Sequence, residues 1–461
     1  MTGHIRVAGA WKDLAGASVK VGGVWKTVEK GFTRVGGVWK EWLVSETDLV
    51  LVRFLASTGS VTYFVLQDSN SNTYHFAQNT SGVLGMAKIS PAGVILWHTG
   101  APYGTALFHA KLNATETEIE VVSRDNFHRV NAETGDLIQR VRFSGSSTES
   151  QRGPLAAQRD GTYMRFVYTP SDTTQNYGRM FNSNGTWSFD NRRVYGISNT
   201  SFQALRSRSH LVNQAGDAFA FAASVDDVWR GRLAVWNSSG TLRWQRRTAQ
   251  NTIRTTTVDS TQMVSDGVHV WLLADDFSLK SPGSVVLRKI RISDGAQIWA
   301  KGLRREVDVT AGRMALDALG NIYLVQPGPT IGADYYNFIL KIDTNGNLVW
   351  VRETLVSDSN LGSGAIQISS KVTDSFTITV ARLTLKLPTS GTKTGTYSAS
   401  PYGNVTYRAS TYNWTISDYA FNEWSVSSAG VDTSGSLTVA ENVDPANITT
   451  TAPTVLSITQ I

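Results

Sequence analysis

The chain has 461 residues, a formal charge of +6, 41% hydrophobic and 17% charged residues, and 14 tryptophans. This balance excludes a disordered chain and a coiled coil, and the absence of cysteine excludes disulfide scaffolds, thiolate zinc sites, iron–sulfur clusters and cysteine nucleophiles. At roughly 150 residues per domain the length allows about three domains, or a single long all-β unit.

The start, Met1-Thr2-Gly3-His4-Ile5-Arg6, lacks the apolar core of a signal peptide, and no apolar run approaches the ~18 residues of a membrane-spanning helix. Neither membrane insertion nor export by an ordinary amino-terminal signal is expected. Residues 1–43 hold seven Lys/Arg against three acids, so most of the net charge sits at the head of the chain. The remainder has no strong basic field, and no nucleic-acid partner is expected.

That head is repetitive. Val7-Ala8-Gly9-Ala10-Trp11-Lys12, Val21-Gly22-Gly23-Val24-Trp25-Lys26 and Val35-Gly36-Gly37-Val38-Trp39-Lys40 place tryptophans 14 residues apart. Gly-Gly between alternating apolar and polar residues signals a two-residue hairpin turn, because both central positions can take positive φ. Counting outward from each turn pairs Arg6 with Trp11, Lys20 with Trp25 and Arg34 with Trp39, so a cation lies across from every tryptophan. Isolated hairpins are marginal in water and cannot enclose a core. They need a surface, either the rest of the chain or a larger assembly.

The tandem repeats resemble those near the start of virion and tail-associated proteins of tailed bacteriophages. That resemblance implies a docking role for Trp11, Gly22, Gly23, Trp25, Gly36, Gly37 and Trp39, with Ala8-Gly9 of the first copy departing from the pattern. It also implies residence in the virion tail after synthesis in the host cytoplasm, with other phage tail proteins and a host surface glycan or receptor as partners.

From residue 50 a second repeat begins, a turn glycine followed four residues later by tryptophan: Gly93 and Trp97, Gly240 and Trp244, Gly295 and Trp299, Gly346 and Trp350. Weaker copies fall at Gly135 and Gly185, and a seventh turn at Leu383–Gly391 follows the alternating Phe376–Val380. Spacings of 42 to 55 residues lie in the range of propeller blades. Each unit reads as four short strands, and no long stretch keeps a helical period. An all-β fold is expected, a β-propeller of about seven four-stranded blades preceded by tandem hairpins. Residues 1–45 would be the hairpin adaptor and 46–410 the propeller, with Leu49–Leu55 in or near the first blade. Residues 411–461 either close the propeller or form a small β appendage. Trp97, Trp244, Trp299 and Trp350 are assigned to packing between blades. The pattern is similar to the quinoprotein-like propellers, whose quinone-dependent members often carry a vicinal cysteine pair that this chain lacks, and no cofactor is expected.

Catalytic motifs are absent. The seven histidines form no H-E-x-x-H, and neither G-x-S-x-G nor a phosphate loop occurs. No catalytic or metal-ligating residue is assigned. The doublets Asp226-Asp227 and Asp275-Asp276 read as loops, since adjacent strand residues face opposite ways. Asp68–Asn72 and Asp343–Asn347 echo the start of a calcium loop, but Asn79 and Thr354 stand where the bidentate carboxylate is needed, and both read as turns. Arg243, Arg246, Arg247 and Arg254 form the one basic cluster of the body, either solvated or facing an anionic surface. Recognition loops would include Ser171–Tyr177 and Pro327–Tyr336. The expected function is a tail-associated structural protein presenting a propeller, without enzyme activity; the alternative is a carbohydrate-binding or carbohydrate-active propeller.

Overall fold

The computed structural model describes strands from Gly3 to Gln460 and some of the turns between them, among them 68–72, 132–136, 266–268, 292–296, 317–321, 343–347 and 389–392, with side chains described in stretches between residues 65 and 419. No helix occurs among the described residues.

Three two-stranded hairpins come first: Gly3–Val7 with Ala10–Leu14, Ala17–Val21 with Val24–Val28, and Lys30–Val35 with Val38–Val44. Their registers set Arg6 opposite Trp11, Lys20 opposite Trp25 and Arg34 opposite Trp39. The turn residues Gly22, Gly23, Gly36 and Gly37, and the side chains of the three tryptophans, lie outside what is described.

Among the described residues, seven sheets of four to six strands follow. The first contains Val61–Gln67, Thr73–Gln78, Leu84–Ile89 and Ile95–Ala101, ordered from inside to outside as an antiparallel meander. The second begins at Leu107–Leu112, the third at Leu155–Ala157, the fourth at His210–Val212, the fifth at Gln262–Ser265, the sixth at Arg313–Leu316 and the seventh at Gln367–Ser369. These innermost strands touch one another in succession: first to second, third to fourth, fourth to fifth, fifth to sixth, sixth to seventh, and seventh back to first. These contacts set the seven sheets in one circular order, the arrangement of a β-propeller.

The fifth and sixth sheets are covered on both faces, which explains their nearly continuous apolar runs. In Ile322–Ile331, Ile322 and Leu324 pack with Leu287 and Leu303 of the fifth sheet, while Tyr323 and Val325 pack with Phe376 and Leu385 of the seventh. The described buried side chains gather into four hydrophobic cores rather than one for each sheet. Each core bridges two neighbouring sheets.

The ends of the chain depart from the expected order. Val50–Leu55 is not part of the first sheet; it pairs antiparallel with Leu383–Pro388 as the fourth strand of the seventh. Alternation identifies a strand, but the partner is chosen by contacts more than three hundred residues away. Beyond the seventh sheet the chain turns back. Gly395–Ser398 and Asn404–Ala409 extend the sixth sheet, Trp414–Asp418 the fifth, Ser425–Val426 the fourth and Glu441–Val443 the second. Finally Thr454–Gln460 pairs with the free edge of Val50–Leu55. The tail is a belt running round the ring in the reverse direction.

One crossing of the belt is described in detail. Fully buried Glu353 accepts a hydrogen bond from Arg408 Nε at 2.6 Å and another from the Thr411 amide at 3.3 Å. Beside it Phe338 packs edge-on against Tyr412, with ring centroids 5.3 Å apart, and against Trp414 at 5.5 Å.

Candidate functional site

The best-defined recurring constellation lies where one sheet meets the next. Trp97, Trp244, Trp299 and Trp350 stand near the start of the outer strands Ile95–Ala101, Leu242–Arg247, Gln297–Arg305 and Leu348–Val356. Each indole reaches over the turn of the following sheet. Its Nε1 donates to a backbone carbonyl there: Ala132 at 3.2 Å, Ile292 at 2.7 Å, Thr344 at 3.2 Å and Thr389 at 3.3 Å respectively. Beneath the rings are Gly135, Gly295, Gly346 and Gly391, with φ between +70° and +83°. A Cβ on Gly135 or Gly295 would stand 2.7 Å from a ring carbon, and one on Gly391 2.9 Å; on Gly346 it would first strike Lys301 at 2.8 Å. Glycine is thus required twice over, for the left-handed backbone and for the space.

The glycine that matters to each tryptophan is therefore not the one four residues before it. Trp244 covers Gly295, Trp299 faces Gly346 and Trp350 covers Gly391, so the sequence period of about fifty residues measures the step from one dock to the next.

A lysine accompanies three of the docks. Lys88, Lys289 and Lys341 sit directly across from Trp97, Trp299 and Trp350, and on their other side face Tyr74, Trp271 and Tyr323. Their ammonium groups lie 5.6, 5.1 and 5.4 Å from those last three ring centroids. Lys341 also donates to the Thr389 carbonyl at 3.0 Å, the same oxygen that takes the Trp350 indole proton. Desolvation lowers the Lys341 pKa from its ordinary value, and burial, reinforced by Asp317, raises that of Tyr323. This row was missed in the sequence, although a signal exists: Lys-Ile occurs at 88–89, 289–290 and 341–342, five or six residues before a turn glycine.

In the second sheet the same row is ionic. Glu120 lies across from Lys111 and Arg129, and Arg129 from Gln139. Arg129 donates to both carboxylate oxygens of Glu118 at 2.7 Å, and Lys111 is 3.2 Å from Glu120. Since Ile119, Val121 and Val130 pack against the first sheet, this charged row occupies the opposite face. Burial raises the Glu120 pKa above its usual value despite Lys111 and Arg129.

The two calcium-like stretches are turns. Asp68 Oδ1 accepts the amides of Asn70 and Asn72, and Asn72 Nδ2 donates to its Oδ2. Asp343 makes the same bonds with Asn345 and Asn347. In both, one carboxylate oxygen takes backbone amides of its own turn and the other takes side-chain donors, an Asx-turn arrangement. No group of three His, Cys, Asp or Glu able to hold a metal occurs among the described residues.

Of the arginine cluster, Arg243 pairs with Asp217 at 2.8 Å and Arg246 donates to the Asp294 carbonyl at 2.8 Å. The Arg247 side chain and Arg254 lie outside the described residues, as do Asp226, Asp227 and Asp276. Pro327–Tyr336, expected as a loop, is largely a continuation of two strands to a hairpin tip, where Ile331 pairs with Asp334. His75 is fully buried, its Nε2 2.9 Å from Thr73 Oγ1, and desolvation lowers its pKa to about 3.

No family model matches the chain, and no curated protein does. Solved structures similar to it include a europium-containing methanol dehydrogenase, at 10% identity and a TM-score of 0.41 over 71% of this chain and 76% of that one. A catalytically inactive virginiamycin B lyase from Staphylococcus aureus with quinupristin is 11% identical, with a TM-score of 0.46 over 74% and 99%. A protein of unknown function from Bacteroides caccae is 10% identical, with a TM-score of 0.37 over 67% and 93%. No helix among the described residues is long and apolar enough to cross a membrane.

Proposed function

We propose that the chain is a tail-associated structural protein of a phage virion, fastened through its amino-terminal hairpins and holding a rigid propeller against a host surface or a neighbouring tail protein. The observation that carries this reading is the register repeated three times: an apolar pair beside the turn, then a cation opposite a tryptophan. Three copies of one small surface, each too small for a core of its own, suit a repetitive attachment. The tryptophan docks and the belt give the ring the stiffness that a load-bearing scaffold needs.

The reading is tested with particles assembled from a chain lacking residues 1–45. Quantitative mass spectrometry of purified particles should show the protein lost, while the truncated chain remains folded in the lysate. Full occupancy in particles without the hairpins would overturn the attachment role. Binding or shortening of host polysaccharide by the purified ring would instead favour a carbohydrate-directed function.

A further inference from the structure

The two ends of the ring differ, and the difference points to a direction of attachment. In each of the first six sheets the connection between the first and second strands and that between the third and fourth lie at the same end. In the first sheet, for example, Gln67 pairs with Thr73 and Ile89 with both Thr73 and Ile95. Val50 pairs with Lys386, toward the close of the third strand of the seventh sheet. The chain therefore enters the ring at this tight-turn end, and the last hairpin strand, Val38–Val44, finishes only a few residues earlier.

The same end carries the exposed apolar side chains. Of the eight large hydrophobic residues exposed among those described, seven are there: Val94, Leu96, Ile138, Val268, Ile298, Leu319 and Val349. Only Ile331 is at the opposite end, on its hairpin tip. Four of the seven, Leu96, Ile138, Ile298 and Val349, occupy one repeated position, the residue after the first of an outer strand. The seven belong to the first, second, fifth and sixth sheets, which flank the seventh on both sides in the ring. The arc is thus centred on the sheet where the hairpins enter. Beyond it, in the fourth sheet, the equivalent position is Arg243, paired with Asp217. Single exposed apolar residues are ordinary on a soluble protein, but a repeated set at one end marks a contact surface.

We propose that the tight-turn end is the seating face of the propeller, and that its apolar arc and the three hairpins together meet one partner. That partner is a protein surface offering apolar side chains to the arc and carboxylates to the hairpins. Its charge follows from the seven Lys/Arg against three acids in residues 1–43, and its apolar part from the arc. This inference rests on the attachment reading above and adds its orientation: the end bearing Ile331 faces outward.

Because the chain has no cysteine, one can be introduced cleanly. Leu319→Cys, Val349→Cys and Ile331→Cys all replace exposed residues, with circular dichroism to verify folding. Each variant is treated with maleimide–polyethylene glycol as free protein and as assembled particles. All three should label when free; in particles labelling at positions 319 and 349 should be lost and that at 331 retained. Undiminished labelling of the two turn-end cysteines in particles that contain the protein would overturn the orientation alone. Their protection in the free protein would assign the arc to a second copy and also overturn it. Absence of the wild-type protein from particles by mass spectrometry would overturn the attachment reading and this inference with it.

Discussion

Two kinds of seam hold the ring together. Between the fifth, sixth and seventh sheets an indole is bonded to the next turn and a glycine lies beneath it, over continuous apolar cores. On the faces of the first, second and seventh sheets turned away from the apolar cores, buried side chains include polar and ionisable ones. His75, Lys386 and Thr377 are buried on surfaces turned away from the apolar cores of the first and seventh sheets, and the row Lys111, Glu120, Arg129 is on the far side of the second. The first kind of seam is held by shape, with a lysine beside the indole as its titratable member. The second exchanges part of that packing for groups whose charge must be satisfied, so stretches of the ring differ in their response to solution conditions.

The largest effects should come from emptying a dock. Trp350→Ala or Trp244→Ala removes a packed indole together with its bond to the next sheet, and should cost about 3–5 kcal/mol in urea unfolding. An unchanged midpoint would show that the docks are ornamental. Filling the space under a ring comes next: Gly391→Ala or Gly295→Ala combines an unfavourable backbone with a clash, for a loss of about 1–3 kcal/mol or more by thermal denaturation.

His75 sharpens the contrast through pH. Its pKa is lowered to about 3 by burial, so the unfolded chain binds a proton below pH ~6.5 that the folded chain refuses. Above that pH the group has no effect; as the pH falls from there toward 3, stability should decline at up to about 1.4 kcal/mol per unit. His75→Gln should flatten this limb of the profile, and an identical slope in the variant would sink the assignment.

Glu120 runs the other way. A carboxyl raised by burial is best tolerated protonated, so its contribution is present at low pH and lost as pH rises through its shifted value. Glu120→Gln, a neutral side chain of the same shape, should therefore leave the protein at least as stable at neutral pH and remove the loss on raising the pH. A loss as large as that of a dock variant would mean that the ionic row carries the seam after all.

Much of the fold was legible because it repeats. A Gly-Gly turn fixes hairpin register locally, and the registers at Trp11, Trp25 and Trp39 follow from counting. Trp97, Trp244, Trp299 and Trp350 announced themselves by recurrence. Their true glycine partners did not, because Gly135, Gly295, Gly346 and Gly391 meet the ring of the sheet before, a relation between units rather than within one. The belt was harder still. Alternation at Trp414–Asp418 and in the run from Val50 to Leu55 shows that these segments are strands, but edge pairing is made by backbone atoms common to every residue. The pairing of Val50–Leu55 with both Leu383–Pro388 and Thr454–Gln460 is consequently invisible in composition.

That double pairing also sets a timetable. Val50–Leu55 is made well before either partner: the first follows some 330 residues later and the second some 400. At roughly 5–20 residues per second the strand waits about 17–66 s with both edges unsatisfied, and about 20–80 s before the second is covered. Contacts of such separation are slow to form, and an apolar strand with open edges invites pairing with the wrong chain. The seven residues Thr454–Gln460 cover the last open edge of that strand, so the seventh sheet is complete only once a segment some 400 residues downstream has been made and has folded back.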